Sequence, residues 1–271
     1  MKKLTLALAG LLALTACGSQ ATSNTSQNAT QPAASSAASG GTDQTSATLT
    51  IFAAASLKDV FPKIYEEFKK THPNYTIEFS FGGSSELATQ INNGAEADIF
   101  ASANEKQMKV ASDAGNVDTA NTKIFATNTL TLVTPPSNPA GITKLEDATK
   151  EGVKLVVCAE QVPCGAATKK LAETTGFTFT PVSEEQKVTD VRGKVEAGEA
   201  DAGIVYRTDA VASGKKVDTI EIPGADQIVN TYPIAPVKAS EHAAEAKEFV
   251  DYVMSAEGQK SLKKYGFGSV K

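Results

Sequence analysis

The sequence predicts an α/β fold arranged as two lobes. Two observations carry this. Short β-prone runs alternate with amphipathic helical segments along most of the chain, the pattern of parallel βαβ units. In addition, Gly94-Ala-Glu-Ala-Asp98-Ile-Phe is echoed by Gly198-Glu-Ala-Asp201-Ala-Gly-Ile-Val-Tyr206. In each, a helix ends at glycine and an aspartate precedes a strand. Two lobes built on similar units give such an echo; a common helix-to-strand junction gives it by chance, and that alternative stays open.

The chain opens with Met1-Lys2-Lys3 and an apolar run over 4–16. That run is shorter than the ~20 apolar residues a membrane-spanning helix needs and fits a secretory signal peptide at 1–16. Its end, Leu14-Thr15-Ala16-Cys17, resembles the bacterial lipoprotein processing box, which implies cleavage before a lipid-modified Cys17. Residues 18–47 are mostly Ser, Thr, Ala, Gln, Asn and Gly, with Asp43 their only charge. They lack the apolar content to offset the entropy of ordering. Residues 17–47 therefore read as a lipidated cysteine and a disordered tether lifting a body off a membrane.

In the body, 49–52 reads as a strand, ending in Ala53-Ala-Ala-Ser56. Helical spacing of Phe61, Ile64, Tyr65 and Phe68 predicts a helix within 57–70. Pro62 leaves two options, a separate turn over 57–60 with the helix starting near Phe61, or a kinked helix. A strand over 76–81 leads into Gly82-Gly83-Ser84-Ser85, a helix over 86–93 with Gly94 as C-cap, and a buried strand over 98–101. Strands follow at 129–134 and 153–158. Then come helices over 166–175 and 189–197, strands over 202–206 and 233–237, a closing helix over 243–254, and a last helical turn or two over 260–265.

Composition excludes several functions. Without Lys2 and Lys3 the 26 basic residues fall to 24, against 31 acidic ones. No run of Lys or Arg suggests nucleic acid, and no second apolar segment suggests a membrane span. Cys158 and Cys164, in Cys-Ala-Glu-Gln-Val-Pro-Cys, read as a local disulfide in an exported protein. His72 and His242 are far off and the spacing is not that of a zinc pair, so a metal site is not expected. There is no Gly-x-Ser-x-Gly elbow and no phosphate-cradling loop. Ser261-Leu-Lys-Lys264 matches Ser-x-x-Lys by chance, without the accompanying motifs.

Four segments share one design, a strand, then small or turn-forming residues, then a helix start: 53–56, 82–85, 162–165 and 188–191. The first amides of a helix lack intrahelical partners and carry partial positive charge. Aimed at one centre, such ends form an anion site from neutral donors. Taken singly, Ser56, Ser84 and Ser85 read as plain N-caps, Val191 as core and Tyr206 as a packed tyrosine. Lys58 and Arg192 lie nearby and read as solvated.

Together these motifs resemble a family. Phe52-Ala-Ala-Ala-Ser56-Leu, Phe81-Gly-Gly-Ser84-Ser-Glu-Leu-Ala, Ile91-Asn-Asn-Gly94-Ala-Glu-Ala-Asp98, Asp190-Val191-Arg192, Gly203-Ile-Val-Tyr206-Arg-Thr-Asp-Ala and Lys264-Tyr-Gly-Phe267 are similar to the molybdate-binding proteins of ABC transporters. Those are extracytoplasmic solute-binding proteins with the type II periplasmic binding fold. The resemblance runs from 49 to 268. It implies an oxyanion held through its oxygens, with no cofactor and no directly bound metal, by the hydroxyls of Ser56, Ser84 and Tyr206 and the amides of Cys164 and Val191. Cys164 departs from the small alanine common there, which a cysteine tied to Cys158 tolerates if the contact is the amide. A donor-only pocket suits molybdate and tungstate and rejects protonated oxyanions such as phosphate.

The resemblance further implies lobe 1 at 48–127 plus 232–271, lobe 2 at 128–231, and a hinge crossed twice. It implies a monomer, lipid-anchored on the extracytoplasmic face, that docks on the membrane permease of an importer and is not an enzyme. The competing readings are the same fold binding sulfate or another anion, a surface adhesin, and a lipid-anchored serine hydrolase using Ser56 or Ser84.

Overall fold

The computed structural model describes residues 46–270. The signal peptide over 1–16, the lipidation site Cys17 and the tether up to residue 45 lie outside the described residues.

β1 (Ala47–Ala54) runs into a single 3-10 turn (Ala55–Leu57), and α1 (Phe61–Phe68) begins after it with Pro62 in its first turn. A first-turn proline sacrifices no helix hydrogen bond, since that N–H has no partner anyway. The structure thus takes the separate-turn option. Next come β2 (Tyr75–Gly82), α2 (Ser84–Asn92), β3 (Ile99–Ala101), α3 (Glu105–Asp113), β4 (Lys123–Asn128) and β5 (Leu130–Thr134). β6 (Leu155–Cys158), α4 (Pro163–Thr175), β7 (Ser183–Glu185), α5 (Val188–Glu196), β8 (Ala202–Tyr206), α6 (Arg207–Ser213) and β9 (Asp218–Ile220) follow. The chain ends with β10 (Asn230–Pro236), α7 (Ala243–Met254) and α8 (Ala256–Lys264).

The ten strands form two five-stranded sheets, ordered β2-β1-β3-β10-β4 and β7-β6-β8-β5-β9. β1 pairs parallel with β2 and β3, and β6 parallel with β7 and β8. Both sheets are mixed rather than wholly parallel: β10 runs antiparallel to β3 and β4, and β5 antiparallel to β8 and β9. These antiparallel strands carry the chain between sheets, out through Thr129 and back through 221–229. The result is a two-lobed α/β fold with a hinge crossed twice. Pro233, which has no N–H to give, sits where β10 shifts register against β4.

The internal echo has a structural counterpart. The Asp98 carboxylate accepts the Thr50 N–H at 2.7 Å, and the Asp98 N–H donates to the Thr50 carbonyl at 2.8 Å. In the other sheet the Asp201 carboxylate accepts the Lys154 N–H at 2.8 Å, and its own N–H donates to the Lys154 carbonyl at 3.0 Å. Each aspartate ties the start of one strand to the strand beside it.

The two cores differ. Around the first sheet Phe61 packs on Phe125 and Phe249, and Phe68 on Phe249 and Tyr252, mostly edge-on, a favoured ring geometry. The second core is aliphatic, with Leu132, Val156, Leu171, Val195 and Ile204 fully buried; Tyr206 is its one buried aromatic among the described residues of 130–229.

Candidate functional site

Corresponding connections of the two sheets meet at one small pocket. From the first sheet come Ala54, Ala55 and Ser56 after β1, Gly82, Gly83 and Ser84 after β2, and Ala103 after β3. From the second come Val162, Pro163 and Cys164 after β6, Lys187 and Val188 after β7, and Tyr206 at the end of β8. The cavity they enclose is about 10 Å³. All three pairs leave the carboxyl ends of parallel strands, where open α/β sheets bind ligands.

The serines are not plain caps. Ala54 and Gly83 cap the 3-10 turn and α2 without side-chain hydrogen bonds. The Ser56 hydroxyl instead lies 3.0 Å from the Tyr232 hydroxyl, and Ser84 Oγ accepts the Ala103 N–H at 3.0 Å. Both serines are buried.

In the second lobe Cys158 and Cys164 form a disulfide, with Cα atoms 5.7 Å apart. The bridge holds Cys164, the second residue of α4, against the end of β6. Gly165 completes this fold-back, since a Cβ there would lie 1.9 Å from the Ala159 carbonyl oxygen. The Tyr206 hydroxyl accepts Asn230 Nδ2–H at 2.6 Å. Burial, and after it the adjacent Tyr232, keeps the Tyr206 phenol well above the usual range, so it stays a neutral O–H.

Two expectations change here. The helix expected from Thr189 starts at Val188 with Lys187 as its cap residue. Thr189 therefore does not cap it, and Val191 is the fourth helical residue, its side chain in the core as expected and its backbone amide in the first turn. The lining residues from this segment are Lys187 and Val188. Arg192, expected in solvent, has a side chain only 15% exposed and reaches across the cleft to Asp59 at 2.8 Å. Lys58 is exposed, as expected.

Other contacts close the cleft. Gln107 Nε2 donates to the Gln161 carbonyl at 2.9 Å. Gly83 faces the Gln186 carbonyl so closely that a Cβ would sit 2.2 Å from that oxygen. Only glycine permits this approach. Beneath Tyr206, Asp209 is buried and its pKa is pushed up to about 7, mainly by burial, with Arg192 pulling the other way.

Tyr232, Asn128 and Asn230 were not singled out by sequence reasoning. The asparagines begin and end hinge strands, and nothing in their local sequence marks them apart from turn residues.

Among the lining residues Lys187 alone carries a charge, and there is no carboxylate. Neither serine meets a general base: Ser56 faces a phenol and Ser84 an amide. His72 stacks on Phe68 and His242 precedes α7, both away from the pocket. Nucleophile activation therefore lacks its second partner. Among the described residues no group of three or more His, Cys, Asp or Glu is placed to hold a metal. The arrangement gathers three hydroxyls, the starts of α4 and α5 and one ammonium group around the pocket.

Residues 49–268 match the family model of bacterial extracellular solute-binding proteins. The chain is 43% identical to the molybdate-binding protein ModA of Mycobacterium tuberculosis, over 94% of this chain and 92% of that one. It is 28% identical to a sulfate-binding protein of Synechococcus elongatus, over 79% of this chain and 69% of the relative. The structure superposes on the periplasmic molybdate-binding protein of Azotobacter vinelandii with a TM-score of 0.73 at 18% identity, covering 82% of this chain and all of that one; at that identity the likeness is one of fold.

Proposed function

The chain belongs to the bacterial extracellular solute-binding proteins, and from that premise we propose that it captures molybdate, and tungstate with it, and delivers the anion to the permease of an ABC importer. Lipidation at Cys17 would hold it as a monomer on the extracytoplasmic face, with residues 17–47 as the tether. Lobe 1 would comprise 48–127 plus 232–271 and lobe 2 128–231, closing on the anion by hinge motion.

One observation carries this reading: the pocket is lined by hydroxyls and helix starts, with Lys187 as its single charge, and holds no carboxylate. Molybdate and tungstate near neutral pH are tetrahedral dianions that only accept hydrogen bonds. We assign contacts to the hydroxyls of Ser56, Ser84 and Tyr206 and to the amide of Cys164. In α5 the contact is assigned to the amide of Val191, in the first turn of the helix. Hydrogen bonds to a charged partner contribute about 1.5–3 kcal/mol each, so five support tight capture after the cost of closing the lobes.

A sulfate-binding relative makes sulfate the second reading, since sulfate is also a proton-free dianion. Calorimetry with molybdate, tungstate, sulfate and phosphate separates the two. Tight binding of the first two, with weaker sulfate and no phosphate, supports the proposal. Preference for sulfate moves the function to the second reading, and heat from none of the four ends both.

A further inference from the structure

Among the described residues one ion pair crosses the cleft, from Arg192 Nη1 on α5 to Asp59 Oδ2 at 2.8 Å. Asp59 stands three residues after Ser56, and Arg192 directly after Val191. The guanidinium is largely buried and has two further carboxyls on its own side of the cleft. Glu196, one turn on along α5, lies 3.5 Å from Arg192 Nε. It is also held by the Ser213 hydroxyl at 2.8 Å and by Lys216 at 3.8 Å. Asp209, in α6 three residues after Tyr206, is 2% exposed, and its Oδ2 has no hydrogen-bond partner.

That orphaned oxygen is the anomaly. A buried carboxyl oxygen without a partner is costly, yet a cation stands close enough to act on it. Burial pushes the Asp209 pKa up to about 7 while Arg192 pulls it down, and Asp59 adds to the rise. Tyr206 and Tyr232 also face it. A guanidinium offers five N–H donors in one plane, and here its fork is turned to the far side of the cleft. When the lobes part, Asp59 leaves with the first. Arg192 is then a largely buried charge that needs a second carboxylate in its place. Asp209 is that carboxylate, on a helix packed against α5.

We propose that Arg192 is the moving part of a latch, paired with Asp59 when the cleft is closed and with Asp209 when it is open, and that this exchange makes closure depend on the bound anion. The three are positioning residues: none lines the pocket, and each acts on the pocket residue near it in the chain. With Asp59 alone, the pair would hold the cleft shut without ligand. With Asp209 alone, the anion would have to close the cleft unaided. Two competing carboxylates leave the ligand-free equilibrium near balance, where a modest differential affinity shifts it most. The inference rests on the reading of the pocket as an anion site, yet half of its test needs no ligand.

Asp59→Asn and Asp209→Asn each remove one carboxyl, so a general electrostatic or structural effect would move both the same way. The latch predicts opposite signs. Thermal unfolding first confirms that each variant is folded. In small-angle X-ray scattering without ligand, Asp59→Asn should have the larger radius of gyration and Asp209→Asn the smaller. In stopped-flow displacement of molybdate, Asp59→Asn should release it about fivefold faster than wild type and Asp209→Asn about fivefold slower, the size expected of a partly exposed ion pair. In an Arg192→Gln background both differences should vanish. Shifts of the same sign, or no difference between the two folded variants, overturn the latch. If wild type binds no molybdate, the oxyanion reading falls, and the scattering comparison still decides the latch.

Discussion

The two lobes use the same sheet order and the same three strand ends, yet they supply the pocket differently. Lobe 1 gives serine hydroxyls on short turns, packed over a core of phenylalanines. Lobe 2 lines the pocket with the starts of α4 and α5, with Lys187, and with one tyrosine over an aliphatic core. The matched helices α3 and α6 differ in the same way. The third residue of α3, Gln107, is neutral and bonds across the cleft to Gln161. The third residue of α6, Asp209, is a buried carboxyl facing Arg192, with one oxygen lacking a hydrogen-bond partner. A duplicated scaffold fixes where donors stand, while the residues at its strand ends decide what kind of donor stands there.

The largest expected effect breaks the meeting of the lobes. Gly83→Ala places a methyl group 2.2 Å from the Gln186 carbonyl oxygen when the cleft is closed, and opening relieves the clash. Molybdate affinity should fall by about a hundredfold, as when the closed state drops to about one per cent of molecules. The thermal midpoint without ligand should stay near wild type, and equal losses in both would place the defect in folding.

Tyr206→Phe removes the one hydroxyl that lobe 2 brings to the pocket and keeps the ring. Calorimetry should show a loss of about ten- to a hundredfold, one hydrogen bond to a charged partner. An unchanged affinity would remove Tyr206 from the site.

Replacing Cys158 and Cys164 with serine removes the staple that lobe 1 does without. The seven-residue loop predicts a stability loss of about 2 kcal/mol by denaturant unfolding, with weaker molybdate binding because the Cys164 amide is no longer held. Weaker stability with unchanged affinity would limit the bridge to folding.

A pH-dependent effect concerns Asp209. Its folded value of about 7 lies above the ordinary 3.8, so the folded state holds the proton more tightly than the unfolded one. Stability should therefore decline as pH rises between those values and level off above. Asp209→Asn should flatten that part of the profile; a variant that keeps the wild-type slope would assign the decline to another group.

Much of this was legible in the sequence because it depends on local chemistry. Gly82-Gly83-Ser84 and Val162-Pro-Cys164-Gly165 announce strand-to-helix turns, and Pro62 marked the break after Ser56. α3 was harder to see because only Gln107, Met108 and Ala111 face the interior, too few apolar residues for a periodic signal. β10 was expected from Pro233 but begins at Asn230, since Asn-Thr-Tyr reads as a loop until a sheet edge receives it. The layer behind the pocket was illegible for the same reason. Asn128 and Asn230 are 102 residues apart and become neighbours only through the antiparallel ladder. The start of α5 was misplaced by one residue, because Thr189 is the better capping residue, yet the chain enters the helix at Lys187.

The central claim is that donors from both lobes close on a proton-free tetrahedral dianion. A calorimetric titration of the wild-type protein with molybdate, run in a large excess of phosphate, tests it most directly. The account predicts one tight site per chain, with an affinity that the phosphate leaves unchanged. Absence of molybdate heat, or its displacement by phosphate, would contradict it.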